Sequence, residues 1–478
     1  MLAIELSVAI PLTAQTVYTW SGASEVDSRS WDVAGNWNLE LPNYSNQSIL
    51  NFNIDMDDDI LTYLETQHQI RAIEFGSELN NTDGIFRLRT RTVAGGGAAA
   101  NLLFNNGGSG DNAYILVDAD SQLSRVMMSQ GNVGVVALQT DLDLFQNSSD
   151  LLFQFDGNVT GQGSLNKYGV GTMTFTRNNS FDGLNIYSGS VVAFASSNSL
   201  GAEQVNLGEG GSANDALLYV GSDVVYGNDI VVSSGSGLRR IGNTDVATHT
   251  GAALSANTGN AELSGGIDLS AGQDVNFDVF GFEALTTDQL TVSGNISGAG
   301  GVVKTGDGVL RITGANTYTG DTTVSEGVLL VDGSLSSDSE LIVSSGSIFG
   351  GAGTVGDLTL ESGALFAFDT ENTINLEGIL TLDSSFGVES LKDLSGGAIN
   401  WTSIANGTYS LLEGDNLSVF EFENIANFGL ENAFDIGDNR LAYFQNGSLQ
   451  LVVIPEPSGY SLIGGFLLLG CVLQRRLR

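Results

Sequence analysis

The sequence predicts an all-β chain wound as a β-solenoid, and three observations carry that prediction. Short apolar runs divided by glycine-rich turns recur along most of its length, with no helix-period stripe among them. The segment Gly161–Gly183 returns at a constant offset as Gly298–Gly320. After the second copy, Gly327, Gly346, Gly363 and Gly378 each stand just ahead of a short apolar strand.

The stretch Gly298–Leu335 is the clearest unit. Val302-Val303, Leu310/Ile312 and Val328–Val331 are apolar, and Leu310-Arg311-Ile312-Thr313 alternates so that one strand face enters a core. In the earlier copy Gly161, Gly163, Lys167, Gly169, Gly171, Thr176, Asn179 and Gly183 stand where Gly298, Gly300, Lys304, Gly306, Gly308, Thr313, Asn316 and Gly320 stand later. Met173 and Phe175 occupy the inward positions of Leu310 and Ile312, and Phe181 that of Tyr318. Identity at turns with exchange inside the apolar class marks a structural repeat, with copies near 161–194 and 298–335. The two lysines read as turn residues. At ~20 residues per coil, the chain forms about 20 coils, roughly 100 Å long.

Composition narrows the function. The 478 residues carry 55 acidic against 17 basic side chains, a formal charge of −38. A field of that sign repels phosphate backbones and argues against nucleic-acid binding. It favours divalent cations and keeps an exported protein soluble. Cys471 is the only cysteine, so the soluble part has no disulfide framework and no thiol chemistry.

In chain order, residues 1–14 read as a secretory signal peptide, apolar from Met1 to Ala14 and cut between Ala14 and Gln15. Residues 15–69 form a tryptophan-rich N-terminal cap holding Trp20, Trp31 and Trp37. Their rings serve either as the small core that closes the first coil or as a platform for stacking sugars. Asp55–Asp59 offers carboxylates to Ca²⁺ but lacks the glycine-spaced loop, so no cofactor is assigned. Residues 70–400 form the β-helix, with Val93–Ala100 a loop and Val126–Gln130 a helical scrap. Residues 401–453 form a β-rich C-terminal cap with a hairpin turn at Asn446-Gly447. Residues 454–478 combine Pro455-Glu456-Pro457, an apolar run and Arg475, Arg476 and Arg478. That run is just long enough for a short transmembrane helix, with the arginines holding its end in the cytoplasm.

No catalytic constellation emerges. His68 and His249 stand in unrelated contexts, outside any HExxH or nucleophile motif, and read as surface or turn residues. The glycine-rich strings lack the helix that a phosphate-binding loop requires.

The residues Lys304-Thr305-Gly306-Asp307-Gly308, Asn316-Thr317-Tyr318-Thr319-Gly320 and Thr322-Thr323-Val324-Ser325-Glu326-Gly327 resemble the autotransporter-associated β-strand repeat, also called the passenger-associated transport repeat. Gly346–Leu360 resembles the rungs that follow that repeat, and the tryptophan-rich start resembles the N-terminus of the same proteins. Pro455-Glu456-Pro457-Ser458, the apolar run and Arg475-Arg476 resemble a PEP-CTERM sorting signal. The first resemblance implies a right-handed parallel β-helix passenger. The second implies export by the Sec machinery, transient anchoring in the inner membrane, and processing near Pro455, Glu456 and Pro457 by an exosortase. It also implies a final place at the cell surface, the outer membrane or an extracellular matrix, with exopolysaccharide a possible partner. Autotransporters carry a large β-barrel translocator after their repeats; here the sorting tail follows instead. The resulting expectation is a non-enzymatic structural or adhesive protein. The alternatives are a polysaccharide-active lyase or hydrolase, or a sugar-binding module, on the same fold.

Overall fold

A computed structural model describes residues 16–456, apart from short stretches of which the longest are 21–29, 53–59, 77–84, 91–100, 129–135, 244–259 and 282–288. The described residues contain β-strands and short 3₁₀ turns and no α-helix. They fall into two compact units, residues 1–320 and 321–478, taken here separately.

The first unit is a parallel β-helix with three faces. Its first face is an eleven-stranded sheet running from Thr16–Thr19 to Ile296–Gly298. Ten strands, from Ile60–Leu64 to Val302–Thr305, make the second face. The third is carried by His68–Ile70, Leu102–Phe104, Val136–Leu138 and Val159–Gly161, and resumes from Val225–Tyr226 to Val309–Ile312. The chain visits the faces in turn, so each strand pairs in parallel with the strand one coil away.

Inward side chains stack in columns. On the first face the register runs Leu50, Ile73, Ile115, Leu144, Lys167, Ile186, Leu207, Val232. On the second it runs Phe86, Val126, Phe153, Met173, Val191, Leu218, Ile241, Phe277, Lys304. Beside this second column the Phe155 and Phe175 rings stack at 5.6 Å. Outward positions of the first face are tied by a polar ladder. Asn166 Nδ2 donates to Asp143 at 2.7 Å, Asn185 Nδ2 to Asn166 at 2.6 Å, and Asn206 Nδ2 to Asn185 at 2.6 Å.

The coil is longer and less regular than the ~20 residues the repeat suggests. The chain closes a turn in 19 residues from Leu165 to Leu184, but takes 42 from Ala72 to Tyr114. Loops at the corners absorb the difference without disturbing the ladder, since loop length adds little free energy. The sequence estimate of about 20 coils is therefore too high: the first unit uses about 300 residues for eleven strands of its first face. Of the expected helical scrap Val126–Gln130, residues 126–128 are strand instead, and 129–130 lie outside the described residues. Arg125–Met128 is a strand, with Val126 and Met128 inward, held between Ile85–Thr90 and Leu152–Phe155.

The second unit is built on three parallel ladders. Thr322–Val324, Glu340–Val343, Asp357–Leu360 and Leu380–Leu382 form one; Val328–Val331, Ile348–Gly351, Leu365–Ala367 and Leu391–Lys392 another; Thr354–Val355, Ile374–Leu376 and Leu412–Glu413 the third. Gly327, Gly346 and Gly363 do precede successive strands of one ladder. Gly378 does not. Its strand, Leu380–Leu382, pairs with Leu358–Leu360 on a different ladder. A coil has several corners, and glycine marks any of them, so equal-looking spacings can join unlike corners. The unit ends in an antiparallel sheet ordered Gly407–Ser410, Gln450–Pro455, Arg440–Gln445, Phe434–Gly437. Residues 446–448, including the expected Asn446-Gly447 turn, lie outside the described residues, as do the signal segment and the apolar run with its arginines. No described helix is long and apolar enough to cross a membrane.

The Phe175 ring is fully buried in its stack with Phe155. Phe175→Ala is expected to cost about 3–5 kcal/mol in urea unfolding, and a loss below about 1 kcal/mol would contradict the stacked column.

Candidate functional site

The repeated segment builds a corner from the inside. Lys167 and Lys304 are not turn residues open to solvent. Each lies within a strand, points inward and has no exposed surface. Lys167 takes a place between Leu144 and Ile186 in an aliphatic column. Its Nζ donates to the carbonyls of Tyr168 and Gly169, both at 2.9 Å, and of Ser188 at 3.3 Å. Lys304 Nζ donates to Thr305 at 2.9 Å and Gly306 at 2.6 Å. The carbonyls that turn inward at the corner thus meet a lysine Nζ as donor. Gly169 and Gly306 make the corner possible. Both have positive φ, +80° and +73°, and a Cβ on either would lie 2.2–2.4 Å from a carbonyl oxygen of the preceding coil. The asparagines serve the neighbouring coil: Asn179 Oδ1 accepts from Val159 N, and Asn316 Oδ1 from Ile296 N, both at 2.8 Å and both across twenty residues.

The copies differ in placement. In the first, Leu165–Tyr168 lies on the first face and Thr172–Phe175 on the second. In the second copy the equivalent strands, Val302–Thr305 and Val309–Ile312, lie on the second and third faces. The same corner chemistry therefore works one face further round.

A further internal cation is only faintly signalled in the sequence. Arg239 is fully buried, and its guanidinium donates to the carbonyls of Asn214 at 2.8 Å, Ser233 at 3.1 Å and Leu238 at 3.3 Å, and of Glu209 and Ser234 at 3.4 Å. Its acceptors come from corner residues scattered over thirty positions. Only Gly208 and Gly235, where a Cβ would strike the guanidinium, hint at it in the sequence.

The tryptophans form an internal cluster. Trp20, Trp31 and Trp37 are 1%, 0% and 4% exposed. Trp37 meets Trp20 and Trp31 edge to face, at 5.0 and 6.0 Å, and Phe52 packs beneath them. No ring face is left free for a sugar, so the stacking-platform reading fails. His68 is likewise no surface residue. It is 2% exposed, stacked on Tyr44 at 3.7 Å, with Nε2 3.3 Å from Asp32 Oδ1. His249 and Asp55–Asp59 lie outside the described residues.

No group of three or more described His, Cys, Asp or Glu residues is placed to hold a metal. A lyase needs a cation, a carboxylate and a base gathered on one exposed face. One such grouping among the described residues is Arg240 Nη1, 3.1 Å from Asp278 and 3.4 Å from Tyr219 Oη. Tyr219 is only 1% exposed, and burial raises its pKa, so its oxygen is neither reachable nor ionised at neutral pH. Where the third face lacks strands, an open groove of about 570 Å³ is lined by Thr176, Arg177, Asn178, Ser196, Ser197, Val224 and Val225. That lining has no acid–base pair.

The sequence-assigned processing residues are only partly described. Pro455 ends the last strand, opposite Arg440, and Glu456 N donates to Asn439 O at 2.6 Å. Pro457, Arg475, Arg476, Ala14 and Gln15 lie outside the described residues.

Against known proteins, residues 165–193 and 302–331 match the passenger-associated-transport-repeat. These are the segments whose strands carry Lys167 and Lys304. The chain is similar over 75 residues, at 47% identity, to the adhesin BmaC autotransporter of Brucella suis; this covers 15% of the chain and 2% of that protein. It is 32% identical over 128 residues to the Neisserial autotransporter lipoprotein NalP of Neisseria meningitidis, covering 24% of the chain and 12% of the relative. Over 64 residues it is 48% identical to an extracellular serine protease of Serratia marcescens, covering 13% and 6%. The matches thus span about an eighth or less of these relatives' length. No solved structure is matched.

Burial pulls the pKa of Lys167 down to about 7. The unfolded chain keeps that proton into the ordinary lysine range. Between about pH 7 and pH 10 the unfolded state therefore binds more protons, and stability rises with pH by up to about 1.4 kcal/mol per unit. Below pH 7 both states are protonated and the contribution is flat. Lys167→Met should abolish this slope in urea titrations at several pH values, and at pH 9 it should cost about 1–3 kcal/mol for the orphaned carbonyls. An unchanged slope in the variant would assign the effect elsewhere.

Proposed function

We propose that this chain is an exported, non-enzymatic β-solenoid of the cell surface, outer membrane or extracellular matrix, structural or adhesive in role. Its C-terminal segment, 454–478, is read as a PEP-CTERM sorting signal handled by an exosortase after Sec-dependent export and transient anchoring in the inner membrane. The coil is taken to wind right-handed, the hand that parallel crossover connections nearly always adopt. Exopolysaccharide is the partner such a surface would meet.

The observation that carries the reading is where the functional groups go. Each copy of the transport repeat spends its lysine, asparagine and glycines on holding its own corner. The tryptophans and His68 are likewise absorbed in packing. What remains outside is a long acidic surface, which suits display rather than turnover. The resemblance to segments of an adhesin and of other autotransporters supports export and exposure. The protease activity named for the Serratia relative belongs to that protein as a whole, of which the match covers 6%.

Two measurements check this. With Glu456→Ala and Pro457→Ala in a host that carries the sorting machinery, the full-length chain should accumulate in the inner membrane and surface labelling should fall at least tenfold. Unchanged processing and display would sink the sorting assignment. Incubation of the purified body with acidic and neutral polysaccharides plus Ca²⁺ should leave their chain length unaltered. Cleavage abolished by a single Asp or Lys substitution would instead establish an enzyme.

A further inference from the structure

We infer that the outer side of the first face carries a glycan-binding step, where a neutral pyranose ring stacks on the bare face of Tyr187 above Gly208 while Asn206 and Glu209 take its hydroxyls. Only the place where such a glycan is met rests on the surface reading, since the folded chain binds it wherever it is displayed.

Beside the asparagine ladder runs an outward aromatic column. Leu116 is followed, coil by coil, by Phe145, Tyr168 and Tyr187. The Phe145 and Tyr168 rings stack at 4.9 Å, and the Tyr168 and Tyr187 rings lie at 4.8 Å. All three are part-exposed. Separations equal to the rise of one coil mean that each ring covers the one before it. No described side chain continues the stack past Tyr187. In the next coil Leu207 pairs with Ile186, and Gly208 N donates to Ile186 O at 2.8 Å, so Gly208 holds the following place in the column. A Cβ there would come within 2.0 Å of Arg239 Nε. The buried guanidinium that serves the corner carbonyls thus also forbids a side chain at 208, and the far face of Tyr187 stays open. One coil further the place is taken by Ser233, again small.

Polar groups flank the open face. Asn206 Nδ2 spends one hydrogen on Asn185 at 2.6 Å, and its Oδ1 accepts from Gln204 Nε2 at 2.9 Å. One hydrogen and one lone pair remain for a ligand. Glu209 is exposed. Burial first, then the charges of Glu209, Asp143 and Asp141, raise the Tyr187 pKa, which places the Glu209 carboxylate near the ring and keeps the phenol protonated. The Tyr187 hydroxyl meets no hydrogen-bond partner among the described residues.

An aromatic face attracts the C–H face of a saturated ring through its quadrupole. The amide, carboxylate and phenol beside it together give and accept hydrogen bonds, as sugar hydroxyls do. A quaternary ammonium is held by several rings around it and has no use for the amide. A nucleotide or a uronate brings negative charge against Glu209, Asp143 and Asp141. A neutral pyranose meets both the stacking and the hydrogen-bonding requirement.

Purified full-length chain, in a detergent without a sugar headgroup, should bind at least one of cellohexaose, maltohexaose and mannohexaose in titration calorimetry, with saturation transfer to the sugar C–H protons in NMR. Tyr187→Leu keeps an apolar contact on Tyr168 but offers no ring face, and should weaken that binding about tenfold. Tyr187→Phe should retain most of it. Glu209→Gln, at an exposed side chain, should weaken it about threefold. Unchanged affinity in Tyr187→Leu overturns the site. So does a preference for hexagalacturonate or choline over every neutral probe, or binding of none of them. If Tyr187→Leu loses the fold by circular dichroism, Glu209→Gln decides alone, and unchanged affinity there overturns the site. Surface labelling in the host reads the display separately: a displayed chain that binds no neutral sugar sinks this site and leaves the surface reading standing.

Discussion

Everything in the first unit follows from the pairing of each coil with the next. Parallel ladders satisfy the strand backbone, and they leave the corners as the place where carbonyls turn away from the ladder. A buried carbonyl without a donor is costly. The solution here is to send donors into the interior: Lys167 and Lys304 in otherwise aliphatic columns, Arg239 among five carbonyls, and asparagines that reach back one coil. The price of an internal cation is desolvation, which its several acceptors offset.

This arrangement changes how the charge of the chain should be understood. Of the 17 basic residues, Lys167, Lys304 and Arg239 are among those buried, each against carbonyls at a corner. Their charge is answered within the corners and contributes little to the outer surface. What the surroundings meet is therefore more acidic than the sequence total suggests. Such a surface repels other polyanions and resists self-association.

The architecture was legible because it rests on local signals. Alternating apolar residues and glycine corners follow from the strand and turn geometry that the chain must adopt. The identical offset of the two copies exposed the period. The lysines misled because a turn-adjacent charge is ordinarily solvated, and nothing in Lys-Tyr-Gly or Lys-Thr-Gly reveals that the side chain points inward. Arg239 and His68 were illegible for another reason. Their partners, Asn214 and Ser233 for one and Asp32 and Tyr44 for the other, come from separate coils or loops and meet only after winding. The tryptophan cluster was readable as a cap core or a platform, and only burial could decide between them.

The one-face displacement of the second repeat has a consequence for recognition. The lysine, asparagine and glycines that the two copies share all serve the interior or the corner, which works equally well on any face. The outward residues of the two copies, Asn166 and Tyr168 in one and Val303 and Thr305 in the other, consequently look in different directions. A partner approaching from one side can read one copy but not both. The repeat is a hinge-stone of construction shared between copies, and whatever the surface distinguishes must be written in the residues that the copies do not share.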